Sequence, residues 1–331
     1  MSSMVEVARR AGVSTATVSR VLTNKPHVRE EVRARVMKAV EELGYRRNSI
    51  ARNLRMQRSS IIGLLVSDIR NSFFTDVARA IEDIALDNGF SVFLCNTDEN
   101  PDKEAMYLEN LIQERAAGII LSPTSESGAD FRQILDSDIP AVTIDRLIAG
   151  SSIDAVVSNN YQSGYMLTVH LIEQGYKSIG AIIGLQNSTT GRERMRGVRQ
   201  ALQDSNLPVN ESHFAYVHPR EKEGRAEMDR IFAEGDVPEA MITGNSRLTI
   251  GVIEAIKAAG LRIPEDVGIA GFDETNWTPF VEGGITVVSQ PTYEMGHMAA
   301  ELLIDRINEE KRASREVILK GQLIARRSTQ R

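Results

Sequence analysis

Residues 7–22 read "VARRAGVSTATVSRVL". Val5, Val7, Ala8 and Ala11 predict a short helix, and Gly12 breaks it. Ser14 then stands where an N-cap stands, with a hydroxyl able to accept a backbone N–H from the next turn. In "TATVSRVL", Val18, Val21 and Leu22 share one face, while Thr15, Ala16, Ser19 and Arg20 lie on others. Two short helices meeting at a glycine turn make a helix-turn-helix, whose second helix is narrow enough to enter a DNA major groove. A third helix follows in "VREEVRARVMKAVEEL", with Val32, Val36, Ala39, Val40 and Leu43 as its apolar stripe and Gly44 as its stop. Residues 1–47 are therefore expected to form a small all-α headpiece.

The charge distribution agrees with a nucleic-acid partner at one end only. Residues 1–58 hold thirteen Lys and Arg against five acids, a balance of +8 in a chain whose total is −6, which leaves −14 for the rest. Such a basic head on an acidic body confines attraction for phosphate to the head. The single cysteine, Cys95, sits in the apolar run "FSVFLCN" and reads as a buried thiol. No apolar run approaches the length of a membrane span, and no signal-peptide pattern stands before Met4, so a cytoplasmic protein with no membrane partner is expected.

"NSIARNLRMQRSS" joins head to body as a short basic hinge over residues 48–58, with Ile50, Ala51 and Leu54 at helical spacing. It is too small to fold alone and is expected to become helical when DNA and a second hinge supply contacts.

From residue 61 apolar strands alternate with amphipathic helices. The strands are "IIGLLVS", "FSVFLCNT", "AAGIILSP", "PAVTIDR", "SIGAIIG", "EAMITGN" and "VGIAGFD"; helices are expected at 73–88, 102–115, 161–174, 191–205, 246–259 and 293–309. Near-continuous apolar strands between helices predict parallel sheets covered on both faces. The length suits an α/β body of two doubly wound lobes, an N-lobe of about 59–160 and 290–320 and a C-lobe of about 161–289. Ligands of such sheets bind beyond the carboxyl ends of the strands. The loops there read "SDIRNSFF", "TIDR", "TTGRERMRG", "TGNSR" and "GFDETNW".

Together the headpiece, hinge and body resemble the lactose-repressor (LacI/GalR) family of bacterial transcription regulators across essentially the whole chain. The resemblance implies a periplasmic-binding-protein-like body and assigns roles by position. Thr15 and Ala16 match the principal base-reading positions, and Arg20 is a further base contact, chemically suited to guanine. Ser14, Thr17, Ser19 and Asn24 would hold phosphates, which fixes register without reading sequence. Ala51, Arg52 and Leu54 fall on the hinge, where the family's leucine wedges into the minor groove. Arg47 stands where the family commonly has proline before the hinge asparagine, which trades a fixed φ for a phosphate-seeking charge.

In the body the resemblance makes Phe73, Phe74, Asp145, Arg194, Asn245 and Asp273 effector contacts. Their chemistry suits a polyol, with planar donor and acceptor pairs and an aromatic face for the ring's C–H side. Where many relatives carry aspartate after the asparagine, this chain has Ser246 and then Arg247; Trp277, its only tryptophan, follows Asp273 by four residues. Arg247 and Trp277 thus join the expected effector set, and the added guanidinium tilts the expectation from a neutral sugar toward a sugar acid, an aldonate or ketoaldonate.

The five histidines are scattered without metal-ligand spacing, and nucleophile-elbow, phosphate-loop and dinucleotide motifs are missing, so neither an enzyme nor a cofactor is expected. A sugar-binding receptor or transport protein without a transcriptional role would explain the body but not the basic head. The expected partners are palindromic operator DNA, a small sugar or sugar-acid effector and a second copy of the chain. The C-terminal "KGQLIARRSTQR" carries no leucine heptad, in keeping with a homodimer. Operator affinity would then respond to the effector, for repression of a carbohydrate-utilisation operon.

Overall fold

A computed structural model describes residues 4–22, 28–43, 59–308 and 312–331. The chain divides between Gln57 and Arg58 into two compact units. In the first, helices α1 (Met4–Ala11), α2 (Thr15–Leu22) and α3 (Glu30–Glu42) close a core of Val7, Ala8, Ala11, Val18, Val21, Val36 and Ala39. Gly12 makes the turn at φ +66°, a left-handed conformation that side chains resist. One expectation changes: Val5 is 56% exposed, and Met4 instead packs partly onto the core. The helical phase is set by Val7, Ala8 and Ala11, and Val5 falls off that stripe.

In the second unit, one sheet has the order β11-β5-β4-β3-β1-β2 and is parallel throughout. Its strands are β1 (Ile61–Val66), β2 (Ser91–Asn96), β3 (Gly118–Leu121), β4 (Ala141–Ile144), β5 (Asp154–Ser158) and β11 (Glu316–Leu319). The other has the order β12-β10-β9-β8-β6-β7, with only β12 antiparallel. It comprises β6 (Ile179–Ile183), β7 (Phe214–Tyr216), β8 (Ala240–Thr243), β9 (Gly268–Phe272), β10 (Thr286–Ser289) and β12 (Gln322–Ile324). The main helices are α4 (Ser72–Asp87), α5 (Pro101–Gln113), α6 (Arg132–Leu135), α7 (Asn160–Glu173), α8 (Thr189–Asp204), α9 (Glu221–Glu234), α10 (Ser246–Ala258) and α11 (Thr292–Ile307).

The chain crosses from lobe to lobe three times, after β5, after β10 and after β11. In the first lobe, Val77 and Ile81 of α4 and Ala299 and Leu303 of α11 bury against Ile62, Leu64 and Val142. On the opposite face Leu108 and Leu111 of α5 meet Leu65 and Ile119. Each buried Val, Leu or Ile among them contributes about 1.5–3 kcal/mol by leaving water.

Several elements lie outside the sequence expectation. The strands β5, β7, β10, β11 and β12 are three to five residues long, and none stands in one of the longer apolar runs quoted above. Helix α9, "EKEGRAEMDRIFAE", is mostly charged and buries Gly224, Met228 and Ile231. Strand β2 is an edge strand, so Phe93 and Leu94 are 57% and 39% exposed rather than covered as its apolar run implies.

Candidate functional site

The headpiece presents α2 with Thr15, Ala16 and Arg20 exposed and Thr17 half-buried, while Val18 and Val21 turn into the core. Ser14 caps the helix: its Oγ accepts the N–H of Thr17 at 3.2 Å and lies 2.9 Å from the Thr17 hydroxyl. Asn24, Ala51, Arg52, Leu54 and the side chain of Ser19 lie outside the described residues.

In the body, the loops at the carboxyl ends of both sheets face each other across a cleft. Ser67 and Asp68 follow β1, Asp145 and Arg146 follow β4, Asn245 follows β8, Asp273 follows β9 and Gln290 follows β10. Helix caps fix the geometry. Asn71 accepts the N–H of Phe73 at 3.1 Å and starts α4, which seats Phe73 and Phe74 in its first turn. Their rings meet edge to face, 4.9 Å apart, buried in the first lobe's core and lining the cleft. Asn245 starts α10 by accepting the N–H of Leu248 at 2.8 Å, and its Nδ2 donates to the Pro219 carbonyl at 3.3 Å.

Asp145 and Asp273 both hold left-handed backbone, at φ 69° and 76°. Non-glycine residues in that region cost of order 1 kcal/mol or more, a cost that concentrates at binding sites. Burial raises the carboxyl pKa of each above the ordinary aspartate range, against the pull of nearby guanidinium groups. The side chain of Asp273 is held by Gln290 Nε2 at 2.7 Å and by the N–H of Ser246 at 3.4 Å.

Arg194 is the cleft's central cation. Gly164 of α7 and Gly197 of α8 let these helices approach so closely that a Cβ on Gly164 would stand 2.3 Å from the Arg194 carbonyl oxygen. The Arg194 side chain is buried, stacks 4.0 Å from the Phe272 ring centroid, and donates from Nε to Asn160 at 2.7 Å and from Nη1 to the Gly244 carbonyl. No carboxylate of the described residues pairs with it directly. Burial lowers its pKa, which Asp273 and Asp145 partly offset.

One cavity in the cleft is lined by Phe73, Phe74, Asp145, Arg194, Asn245 and Asp273 together. Two of the eight expected effector residues stand elsewhere. Arg247 does not line the cavity; its guanidinium is buried between Asp68 and Glu221, so it adds no free positive charge and the tilt toward anions loses this support. Trp277 packs half-buried on the second lobe's core beside Val281 and Ile285, away from the cleft.

Among the lining residues not singled out from the sequence, three carry a buried polar atom without a hydrogen bond: Ser67 Oγ, Gln290 Oε1 and Arg146 Nε, the last lying 3.5 Å from the Asp145 carboxylate. Arg146 is otherwise held by Glu99, at 2.6 and 2.7 Å. Ser67 and Arg146 stood inside the quoted loops "SDIRNSFF" and "TIDR"; Gln290 follows a strand outside the quoted apolar runs. Orphaned buried polar atoms are costly, and three around one cavity fit a hydroxyl-rich ligand that supplies both donors and acceptors. No group of three His, Cys, Asp or Glu among the described residues is placed to hold a metal. Likewise, no described helix is long and apolar enough to cross a membrane.

Two family models match the chain. Residues 3–48 match bacterial regulatory proteins, lacI family, and residues 59–327 match periplasmic binding proteins and the sugar binding domain of the LacI family. Catabolite control protein A of Priestia megaterium is 32% identical over 328 residues, covering 99% of this chain and 99% of that protein. The HTH-type transcriptional repressor PurR of Serratia proteamaculans (strain 568) is 32% identical over 331 residues, covering 99% of this chain and 97% of that protein. Among solved structures, the Lac repressor dimer bound to operator and the anti-inducer ONPF shares the fold, with a TM-score of 0.87 at 23% identity over 99% of each chain.

Proposed function

This chain belongs to the LacI family of bacterial regulatory proteins, and we propose that it is a repressor whose hold on a palindromic operator is set by a sugar or sugar acid bound between its lobes. It is a DNA-binding transcription repressor with a ligand-binding domain, and its relatives are regulators rather than enzymes. One observation carries the effector reading. Asp145, Asp273, Arg194, Ser67, Arg146 and Gln290 line a single cavity.

Two buried carboxylates accept hydroxyl protons, the guanidinium and amide offer planar donors, and the Phe73–Phe74 face covers C–H surface. Nη2 of Arg194 has no partner among the described residues, so the carboxylate of a sugar acid would pair there. Thr15, Ala16 and Arg20 read bases, and the headpiece's basic surplus holds phosphates. A homodimer matches a two-fold operator, and the exposed apolar side chains Leu86, Phe93 and Leu94 on one edge of the first lobe favour burial against a second copy. The effector acts by binding the DNA-competent and incompetent arrangements unequally.

The test is a thermal-shift panel on the full chain with neutral sugars, aldonates, ketoaldonates, sugar phosphates and purines. A ligand at about 100 times its Kd adds roughly 2.7 kcal/mol of stability. A shift with a sugar or sugar acid, lost in Arg194→Ala, supports the reading. A shift only with purines or sugar phosphates contradicts the effector class.

A further inference from the structure

The two lobes are tied beside the cleft by a charged contact that the effector reading does not use. Arg247, in the first turn of α10, buries its guanidinium between the carboxylate of Asp68, which follows β1 in the other lobe, and that of Glu221, which opens α9. Its Nε donates to Glu221 Oε1 at 2.9 Å, while Nη1 reaches Asp68 Oδ2. Asp68 lines the cavity and Arg247 does not, so the arginine acts on the cleft through its partner. Nearby, Arg220 Nη2 crosses to the Asp98 carbonyl at 3.2 Å. Elsewhere between the lobes, the N–H of Leu147 donates to Thr189 Oγ1 at 3.1 Å and Arg192 pairs with Glu126 at 2.9 Å.

The partners left behind on separation make this contact reversible. Splitting a buried ion pair is ruinous when each charge is left alone in apolar surroundings. Here neither charge would be alone. Arg247 keeps Glu221, and Asp68 keeps Arg70, whose Nε and Nη2 donate to its two oxygens at 3.1 and 3.2 Å and whose backbone N–H donates at 3.0 Å. Each lobe therefore carries a self-sufficient half of the contact.

We propose that the Asp68–Arg247 pair is a clasp that closes the two lobes over the cleft in the absence of ligand, with Arg247 a positioning residue that touches no effector. The consequence for affinity rests on the effector reading of the cleft; the closure itself does not. A chain that is already closed spends less of its ligand's binding energy on closing, so apparent affinity follows the closed fraction.

The experiment measures closure without any ligand, by double electron–electron resonance on the full chain. Spin labels go on Glu109→Cys in the first lobe and Asp229→Cys in the second, both exposed positions, with labelled chain diluted in unlabelled chain. Cys95 is buried, which pushes its thiol pKa up to about 11, so it stays unlabelled. The parent chain is expected to give one short separation. Asp68→Asn and Arg247→Gln each shift the distribution to longer separations, the double variant shifts it no further than either single, and Arg247→Lys retains the short separation. Asp68→Asn leaves Arg247 paired with Glu221, so it keeps the test decisive if Arg247→Gln fails to fold. Distributions that match the parent in Asp68→Asn, or single shifts that add in the double variant, overturn the clasp. Neither result bears on the ligand panel, which decides the effector reading separately.

Discussion

Arg194 lays its guanidinium 4.0 Å from the centroid of the Phe272 ring while its Nε is pinned by Asn160 at 2.7 Å. The stacking holds the planar group in one orientation, with one nitrogen left over for a ligand. Arg194→Ala is expected to cost about 2–5 kcal/mol of effector binding, the range for truncating one partner of a buried, hydrogen-bonded charge. Arg194→Lys keeps the charge but not the planar fork, and should fall well short of the parent. Isothermal titration with the ligand found in the panel reads both, and operator affinity without effector should be unchanged.

Close approach of α7 and α8 sets where Arg194 stands. A Cβ on Gly197 would lie 2.1 Å from the Tyr161 carbonyl oxygen, a backbone atom that cannot swing aside. Gly197→Ala is therefore expected to push the helices apart and cost about 1–3 kcal/mol of stability. Effector affinity should fall with it, because the displaced helix carries Arg194. Urea melts and the same titration check the two effects.

Asp154 ties the first lobe's discontinuous pieces together. Its fully buried side chain accepts from Arg306 Nε at 2.9 Å, from Arg312 Nη1 at 2.9 Å and from the N–H of Arg315 at 2.6 Å. Burial pushes the carboxyl up, but these hydrogen bonds outweigh it and hold the pKa at about 2. Asp154→Ala removes the carboxylate that Arg306 and Arg312 share and should cost about 3–5 kcal/mol, measured by denaturant unfolding.

Glu104 is a carboxyl whose titration falls near neutrality. Burial raises its pKa to about 7, although Thr124 donates to it from its backbone N–H at 2.9 Å and its hydroxyl at 2.8 Å. The folded chain thus binds this proton more tightly than the unfolded chain does. Its contribution to stability is full below the ordinary glutamate range, falls as pH rises toward 7 and is level above that. The loss is up to about 3 kcal/mol. Glu104→Gln should be less sensitive than the parent between pH 5 and 7.5, as compared by urea midpoints at the two values.

What the sequence made legible follows from which forces act locally. Val18, Val21, Val36 and Ala39 sit at helical spacing, and all four are buried in the headpiece core. Phe73, Asp145, Asn245 and Asp273 each follow a strand or open a helix, Arg194 stands in the second turn of α8, and doubly wound topology brings such positions to one cleft. Arg247 shows the limit: its position beside Asn245 was visible, but its partners Asp68 and Glu221 lie 179 and 26 residues away. A charge's effect on a cleft depends on what neutralises it, and no local pattern states that. Trp277 fails in the same way, since a loop residue near a strand end turns toward whichever core has room. Gln290 follows a four-residue strand, and its placement becomes apparent only once β10 pairs with β9.

Whether the chain reads two-fold DNA is decided by selection from a random duplex library with the purified full-length chain. Enrichment of one palindromic site is expected, lost in Arg20→Ala, with a salt dependence that reports phosphate contacts. Enrichment of no sequence, or of a site without two-fold symmetry, would contradict two-fold reading.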